Sequence, residues 1–225
     1  MSISDAHYSK RKGNPVSFAH RIDSSDDGFS LMEVIIAIAI IGIVAISSIT
    51  LTVNGIASAS TQQRRQIAVT IASGAMENVS AQTVASLFNG RTQADVQAAF
   101  TANSTVPGIA PSGGVPATYK RWDVTASPPP TAQVPVFSPS VNRSGTDFGT
   151  TTLIGPCYEL VAGGNCATLA DHTNPADVVP GYVTLIRVVV VVRWTAGSSC
   201  SAAGCYYSTT TLVDPNQDLE WVTHG

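Results

Sequence analysis

The chain has 225 residues and a formal net charge of −3, and only 12% of its side chains are charged. This balance gives no indication of nucleic-acid binding by bulk electrostatics. The length allows one or two ordinary domains. The sequence contains no phosphate loop, dinucleotide fingerprint or nucleophile elbow, and its four histidines are scattered. We therefore expect no enzymatic activity and assign no catalytic residue.

A long apolar run lies near the start of the chain. It extends over 25 residues from Phe29 to Val53, and Glu33 is the only ionisable side chain within it. About 20 mostly apolar residues are enough to span a membrane as a helix. Residues 1–27 are polar and include several basic side chains, which favours a cytoplasmic start. The pattern predicts one membrane-spanning helix that carries a single acid close to its beginning.

The residues around that acid carry a family resemblance. The stretch Gly28-Phe29-Ser30-Leu31-Met32-Glu33-Val34 resembles the processing site of type IV pilins and type II secretion pseudopilins. The resemblance implies that a prepilin peptidase cuts after Gly28 and that Phe29 is then N-methylated. It also implies that Glu33 complements the amino terminus of a neighbouring subunit. The implied partners are other pilin or pseudopilin subunits, the peptidase/methyltransferase and an inner-membrane assembly platform.

The chemistry of these residues fits the implied processing. Glycine offers an unhindered backbone to a protease, and cleavage would create an α-ammonium group of opposite charge to Glu33. A secretory signal cut near residues 57–59 is the main rival, but its apolar core should span only 7–15 residues. A second alternative is a signal-anchored surface binding protein with a disulfide-stapled head. The Asp26-Asp27 pair departs from the basic residue that many pilin leaders place before the glycine.

Beyond the apolar run, apolar side chains recur every three or four residues up to Phe88. We expect one helix from about Phe29 to Phe88, ended by Asn89-Gly90. The predicted organisation is a leader (1–28), a membrane or filament-core helix (29–53), an amphipathic half (54–90) and an extracytoplasmic head (91–225). A short helical turn is expected at 95–100.

The head reads as β-rich. The predicted strands are Tyr119–Ala126, Tyr182–Trp194 and Tyr206–Val213, and the Pro- and Ser-rich stretch 131–156 is interpreted as a surface excursion with local pairing at 134–137. The central strand should be covered by the long helix on one side. The predicted fold class is α+β, a long N-terminal helix packed on a small antiparallel sheet, as in pilins. The sheet pattern is most similar to that of PilV-type minor pilins.

All four cysteines lie in the last third of the chain, beyond the apolar run. An even number on one side of a membrane indicates disulfides in an oxidising compartment. Three pairings are possible, and nearness in sequence favours Cys157–Cys166 and Cys200–Cys205. A zinc site is the alternative, but the spacings lack the usual close cysteine pairs.

No cofactor is expected, although some pseudopilins bind calcium. The weak candidate ligands are Asp214, Asn216, Asp218 and Glu220, which place oxygens at alternating positions but lack the full pattern of a calcium loop. The resemblance implies a structural subunit of a type IV pilus or a secretion pseudopilus. Many major pilins have a proline about where Thr50 stands, so its absence favours a minor subunit. A role in DNA uptake stays open.

Overall fold

The computed structural model describes residues 30–111, 114–129, 131–172, 174, 177–195, 200 and 204–215. Its elements, in chain order, are helix α1 (Leu31–Ser80), a 3-10 turn (Val84–Ser86), helix α2 (Gln93–Ala102) and strands β1 (Phe137–Arg143), β2 (Thr146–Leu160), β3 (Tyr182–Trp194) and β4 (Cys205–Val213). The chain divides into two compact units, residues 1–52 and 53–225, and α1 contributes to both. The long N-terminal helix followed by an antiparallel sheet confirms the predicted α+β class.

The four strands form one sheet in the order β1-β2-β3-β4, and every neighbouring pair is antiparallel. The first connection is a two-residue turn in which Ser144 and Gly145 both have positive φ, 51° and 72°. Such turns match the twist of the strands that they join. The pairing of β2 with β3 runs from Phe148 opposite Trp194 to Leu160 opposite Tyr182. These two strands form the centre of the sheet.

The run Val188 to Val192 in β3 is fully buried because both faces of the sheet are covered. Val188, Val190 and Val192 share one apolar cluster with Ala68 and Ala72 of α1. On the opposite face, Val189 and Val191 pack with residues of α2 and the loop after it: Val96, Ala99, Phe100, Val106 and Ile109. Successive side chains of a strand point to opposite faces, so an uninterrupted apolar run is the pattern of a strand buried on both sides. The predicted cover of the central strand by the long helix is confirmed.

Among the described residues, two buried arginines hold loops against the sheet, and neither forms an ion pair with an acid there. Arg91 donates to the carbonyl oxygens of Val134 (3.0 Å) and Thr152 (2.6 Å), and its Nε has no hydrogen-bond partner among the described residues. Burial lowers the pKa of Arg91 to about 10. The guanidinium therefore stays charged at neutral pH. Through these two bonds, Arg91 links the residues that precede β1 to strand β2.

Arg187 of β3 does the same for the loop that follows α2. It donates to the carbonyl oxygens of Ala117 (2.6 Å), Gly108 (3.2 Å) and Cys166. Burial lowers the pKa of this side chain as well. Gly155 lies in the neighbouring strand β2, directly opposite Arg187, and leaves room on the same face for the backbone of Tyr119. Arg187 thus binds the segment between Gly108 and Tyr119, and Gly155, which has no side chain, lets that segment approach the sheet closely.

The end of the long helix differs from the prediction. Helix α1 ends at Ser80, not near Phe88, and Thr83 is extended (φ −72°, ψ 149°) before the 3-10 turn. The change of direction lets Leu87 and Phe88 enter the core, where they are only 1% and 7% exposed. Leu87 and Phe88 continue the apolar pattern because they are core residues, although they are not part of the continuous helix. The predicted turn at Gly90 is present as a left-handed residue with φ 71°, and the helical turn predicted at 95–100 is the longer helix α2.

The strand predicted at Tyr119–Ala126 is wrong. This segment lies across a face of the sheet and makes isolated backbone bonds instead of a ladder. Tyr119 N donates to Pro156 O (2.9 Å), Asp123 N to Arg91 O (3.0 Å) and Ala126 N to Asp123 O (3.2 Å). The Asp123 carboxylate also accepts from Thr125 N at 2.8 Å, which bends the chain where the strand should continue. Its alternating pattern reflects packing on the sheet and not pairing within it.

The interpretation of 131–156 as a surface excursion is also wrong, since it contains β1 and most of β2. Threonine is a good strand former, and Thr150, Thr151 and Thr152 are buried at the centre of the sheet. Local pairing at 134–137 is present, because Thr152 N donates to Val136 O at 2.9 Å.

The four cysteines form the two bridges that nearness in sequence favours. The Cα atoms of Cys157 and Cys166 are 5.4 Å apart, and those of Cys200 and Cys205 are 5.0 Å apart. The first bridge joins β2 to the segment that pairs at Ala167 with Tyr158. The second links the start of β4 to the connection from β3. All four thiols are used, so the cysteines are not zinc ligands.

Candidate functional site: the apolar start of helix α1

Helix α1 begins at Leu31, three residues after Gly28, which the predicted cleavage follows. Gly28 and Phe29 lie outside the described residues, so the first visible residue of the motif is Ser30. Its carbonyl oxygen accepts from Glu33 N (2.9 Å) and Val34 N (3.3 Å), and its hydroxyl accepts from Met32 N (3.3 Å). Serine is a favoured residue at a helix start, because its side chain satisfies an amide that the helix leaves free. The motif therefore contains its own helix-start signal.

Glu33 lies in the first turn of this helix. A negative side chain is favourable there because the helix dipole places partial positive charge at the N-terminus. Within the described part of the chain, Glu33 forms no ion pair, and α1 has no basic residue before Arg64. An acid embedded in lipid without a partner is costly, about 2.5–3.5 kcal/mol at a helix centre and less near an end. Its position fits a group that receives a cation from outside the monomer.

The helix surface after Glu33 is apolar on all sides. Every large apolar side chain from Leu31 to Ile56 is between 44% and 78% exposed. Among the described residues, α1 is the one helix that is long and apolar enough to cross a membrane, with a mean hydropathy of 2.8 in its most apolar window. A helix that is hydrophobic all round needs burial in lipid or among other helices. The exposed surface thus fits membrane anchoring followed by burial in a filament.

The hydroxyl groups of this segment are satisfied inside the helix. Ser47, Ser48, Thr50 and Thr52 each donate to the carbonyl oxygen four residues earlier, at 2.9, 2.8, 3.2 and 2.9 Å. A polar group in lipid is costly unless it is hydrogen-bonded. The four side chains are also small, so neighbouring helices can approach closely at these positions. The same segment is thus compatible with lipid and with a helix bundle.

The metal candidates are only partly visible. Asp214 is described, whereas Asn216, Asp218 and Glu220 lie outside the described residues. Within the described residues, no group of three or more His, Cys, Asp or Glu side chains is placed to hold a metal ion. The expectation of no cofactor stays a prediction, with calcium at these residues as its weak alternative.

Sequence reasoning found the motif, the acid and both cysteine pairs, and it missed the two buried arginines. No local pattern distinguishes a guanidinium that binds three carbonyl groups from an exposed one. The acceptors of Arg187 are 21 to 79 residues away along the chain.

Comparison with known proteins supports the family resemblance at the start of the chain. The family model described as the prokaryotic N-terminal methylation motif matches residues 23–49. This range includes Gly28, Phe29 and Glu33 and the larger part of the apolar run. No curated protein matches over the chain, and no solved structure matches it either. The motif match supports the type IV pilin and pseudopilin family, whose members are generally structural proteins and substrates of prepilin peptidase.

Proposed function

We propose that the chain is a structural subunit, of the minor type, of a type IV pilus or a type II secretion pseudopilus. The observation that carries the proposal is the matched motif on a helix whose apolar surface is exposed on all sides. The two disulfides add that the head matures in an oxidising compartment. The subunit enters the cytoplasmic membrane with its N-terminus inside, is cut after Gly28 and is methylated at Phe29.

Assembly then moves the apolar segment from lipid into a bundle of like helices. Both environments are apolar, so the hydrophobic difference between them is small. The attraction between Glu33 and the N-terminal ammonium group of a neighbour supplies the specific term and sets the axial register. Opposite charges attract far more strongly in an apolar medium than in water. The proposal assigns to Glu33 a role in assembly and not in cleavage.

The corresponding experiment compares Glu33→Ala with Met32→Ala, a neighbouring substitution that leaves the charge unchanged. Both are expressed with the assembly machinery and a prepilin peptidase. We expect normal processing of both variants, normal incorporation of Met32→Ala, and at least a tenfold loss of Glu33→Ala from sheared filaments. Normal incorporation of processed Glu33→Ala would show that the register role is wrong.

A second candidate function rests on a different observation. The head has an open groove of about 440 Å³, lined by apolar and aromatic side chains such as Trp122 and Leu169 and by polar ones such as Lys120 and His172. Such a groove would suit a signal-anchored surface protein that binds a ligand. That protein would retain residues 1–28, whereas a processed subunit begins at Phe29.

A further inference from the structure

The open groove of the head has two walls that are joined by hydrogen bonds. One wall comes from the segment 115–122 and the other from the segment 168–172, and Gln97 of α2 also lines the groove. Thr168 donates to the carbonyl oxygen of Pro116 twice, from its backbone N (3.1 Å) and from its hydroxyl group (2.6 Å). These two bonds hold the walls at a fixed separation.

The Tyr119 hydroxyl group joins the same two walls. It accepts from Leu169 N at 2.9 Å and donates to the carbonyl oxygen of His172. The disulfide Cys157–Cys166 holds the chain to β2 just before the second wall begins. Fixed walls reduce the entropy that is lost on binding, and ligand sites are usually formed before the ligand arrives. The groove therefore has the construction of a preformed binding site.

The lining combines apolar and polar side chains. Trp122 and Leu169 are half-buried and contribute apolar surface, whereas Gln97 and Lys120 are exposed and offer hydrogen-bond donors. A saccharide suits such a mixture, because it has apolar C–H groups on the faces of its ring and hydroxyl groups around the rim. The negative face of an aromatic ring attracts weakly positive C–H groups. The lining thus favours a sugar ring over a purely apolar ligand.

The charge of the lining selects among saccharides. Lys120 is the one lysine or arginine among the described residues that line the groove, and no aspartate or glutamate is among them. Asp123 and Asp171, although close in sequence, lie outside the lining. Within the described part of the chain, Lys120 forms no ion pair, whereas His172 Nδ1 lies 3.8 Å from the Asp177 carboxylate. An unpaired ammonium group in a groove without acids favours an anionic ligand.

We propose that the groove binds a saccharide that carries a carboxylate group. The sugar ring packs on Trp122 and Leu169, and the carboxylate accepts hydrogen bonds from the Lys120 ammonium group. The inference rests on the second candidate function, in which this groove binds a ligand, and names the class of that ligand. It applies equally to a processed subunit, because the head of both is the same.

The test compares two matched disaccharides by titration calorimetry on the full chain, in a zwitterionic detergent that contains no sugar. One is a disaccharide of galacturonic acid, and the other is the corresponding disaccharide of galactose, which lacks the carboxylates. An exposed ion pair changes an affinity by up to about fivefold. The wild type should therefore bind the acidic disaccharide about fivefold more tightly than the neutral one. Lys120→Gln should bind the two alike, and it should fold because Lys120 is exposed.

Arg121→Gln is the matched control. Arg121 is the neighbouring cation in the sequence, but it lies over the Phe88 ring at 4.6 Å and lines a different groove. This variant should keep the wild-type preference. Equal binding of the two disaccharides by the wild type, binding of neither, or an equal loss of preference in both variants would overturn the inference. Binding of phenylacetate, an aromatic carboxylate, in place of both disaccharides would overturn the sugar assignment and leave the second candidate function standing.

The N-terminal mass of the same sample separates this inference from the proposed functions. A chain that begins at Phe29 and prefers the acidic disaccharide supports the inference and contradicts only the signal-anchored form. A chain that keeps residues 1–28 and shows no preference contradicts both the assembly function and the inference.

Discussion

Replacing Gly155 with alanine tests how the head is held together. Gly155 lies in β2, where an added Cβ would be 1.9 Å from the carbonyl oxygen of Tyr119 and 2.7 Å from Cγ2 of Thr118. Ordinary contact begins at 3.4 Å, so the Tyr119 backbone would have to move by about 1.5 Å, the difference between 3.4 and 1.9 Å. That movement pulls Tyr119 N away from Pro156 O, which it now meets at 2.9 Å.

The expected cost follows from three terms. Overpacking a dense interior costs about 1–3 kcal/mol. Loss of the bond between Tyr119 and Pro156 adds about 1 kcal/mol. Alanine also lowers the conformational entropy of the unfolded chain, which offsets about 0.4–1 kcal/mol of this destabilisation. We therefore expect the free energy of unfolding of the head to fall by about 1–3.5 kcal/mol.

Gly149→Ala is the matched control, because it lies in the same strand and its added Cβ would have nothing within 4 Å. Urea unfolding of the full chain in detergent, followed by tryptophan fluorescence, measures both variants. The free energy of unfolding of Gly149→Ala should lie within about 0.5 kcal/mol of the wild-type value or slightly above it. An equal effect of the two substitutions would show that Tyr119 does not cross the sheet at Gly155, and the argument from close approach would fail.

Two further predictions concern the bridges and the response to acid. Replacing both cysteines of Cys157–Cys166 with alanine should lower the free energy of unfolding by about 2.5 kcal/mol, and the shorter loop of Cys200–Cys205 should cost about 2 kcal/mol in the same urea assay; an unchanged midpoint in either pair would contradict the entropic estimate. Hydrogen bonds from Thr125, and then from Gly90, lower the pKa of Asp123 below 3.8, so its contribution is present above that value and is lost as the pH falls through the folded pKa. Asp123→Asn should therefore lose less stability than the wild type between pH 5 and about pH 2. Equal losses of stability in the two proteins over this range would contradict the assignment.

The parts of the fold that follow from local pattern were predictable from the sequence. The apolar run between Phe29 and Val53 has no other physical solution than burial in lipid or among helices. Tyr182–Trp194 is predicted with its observed bounds, because a short β-branched run that includes two arginines suits a buried strand and does not suit a second spanning helix. Both cases depend on residues that are close together in the chain.

The parts that depend on distant residues were not predictable. Strand β2 looks like a loop, because it contains Gly149, Gly155 and Pro156 and follows a stretch rich in Pro and Ser. Only pairing with β3 on one side and β1 on the other makes it central. Tyr119–Ala126 alternates like a strand but lies across a face of the sheet, where Gly155 makes room and Arg187 binds the neighbouring carbonyl groups. Neither property leaves a signal in the local sequence.

The mass of the mature N-terminal peptide tests the central claim most directly. The protein is purified from membranes and from sheared filaments of cells that contain the peptidase, then analysed intact and after digestion. We predict a chain that lacks the 28 residues up to Gly28, begins at Phe29 and is about 14 Da heavier for one methyl group. A chain that keeps residues 1–28 in both fractions, or one that begins after Ala59, would contradict the account.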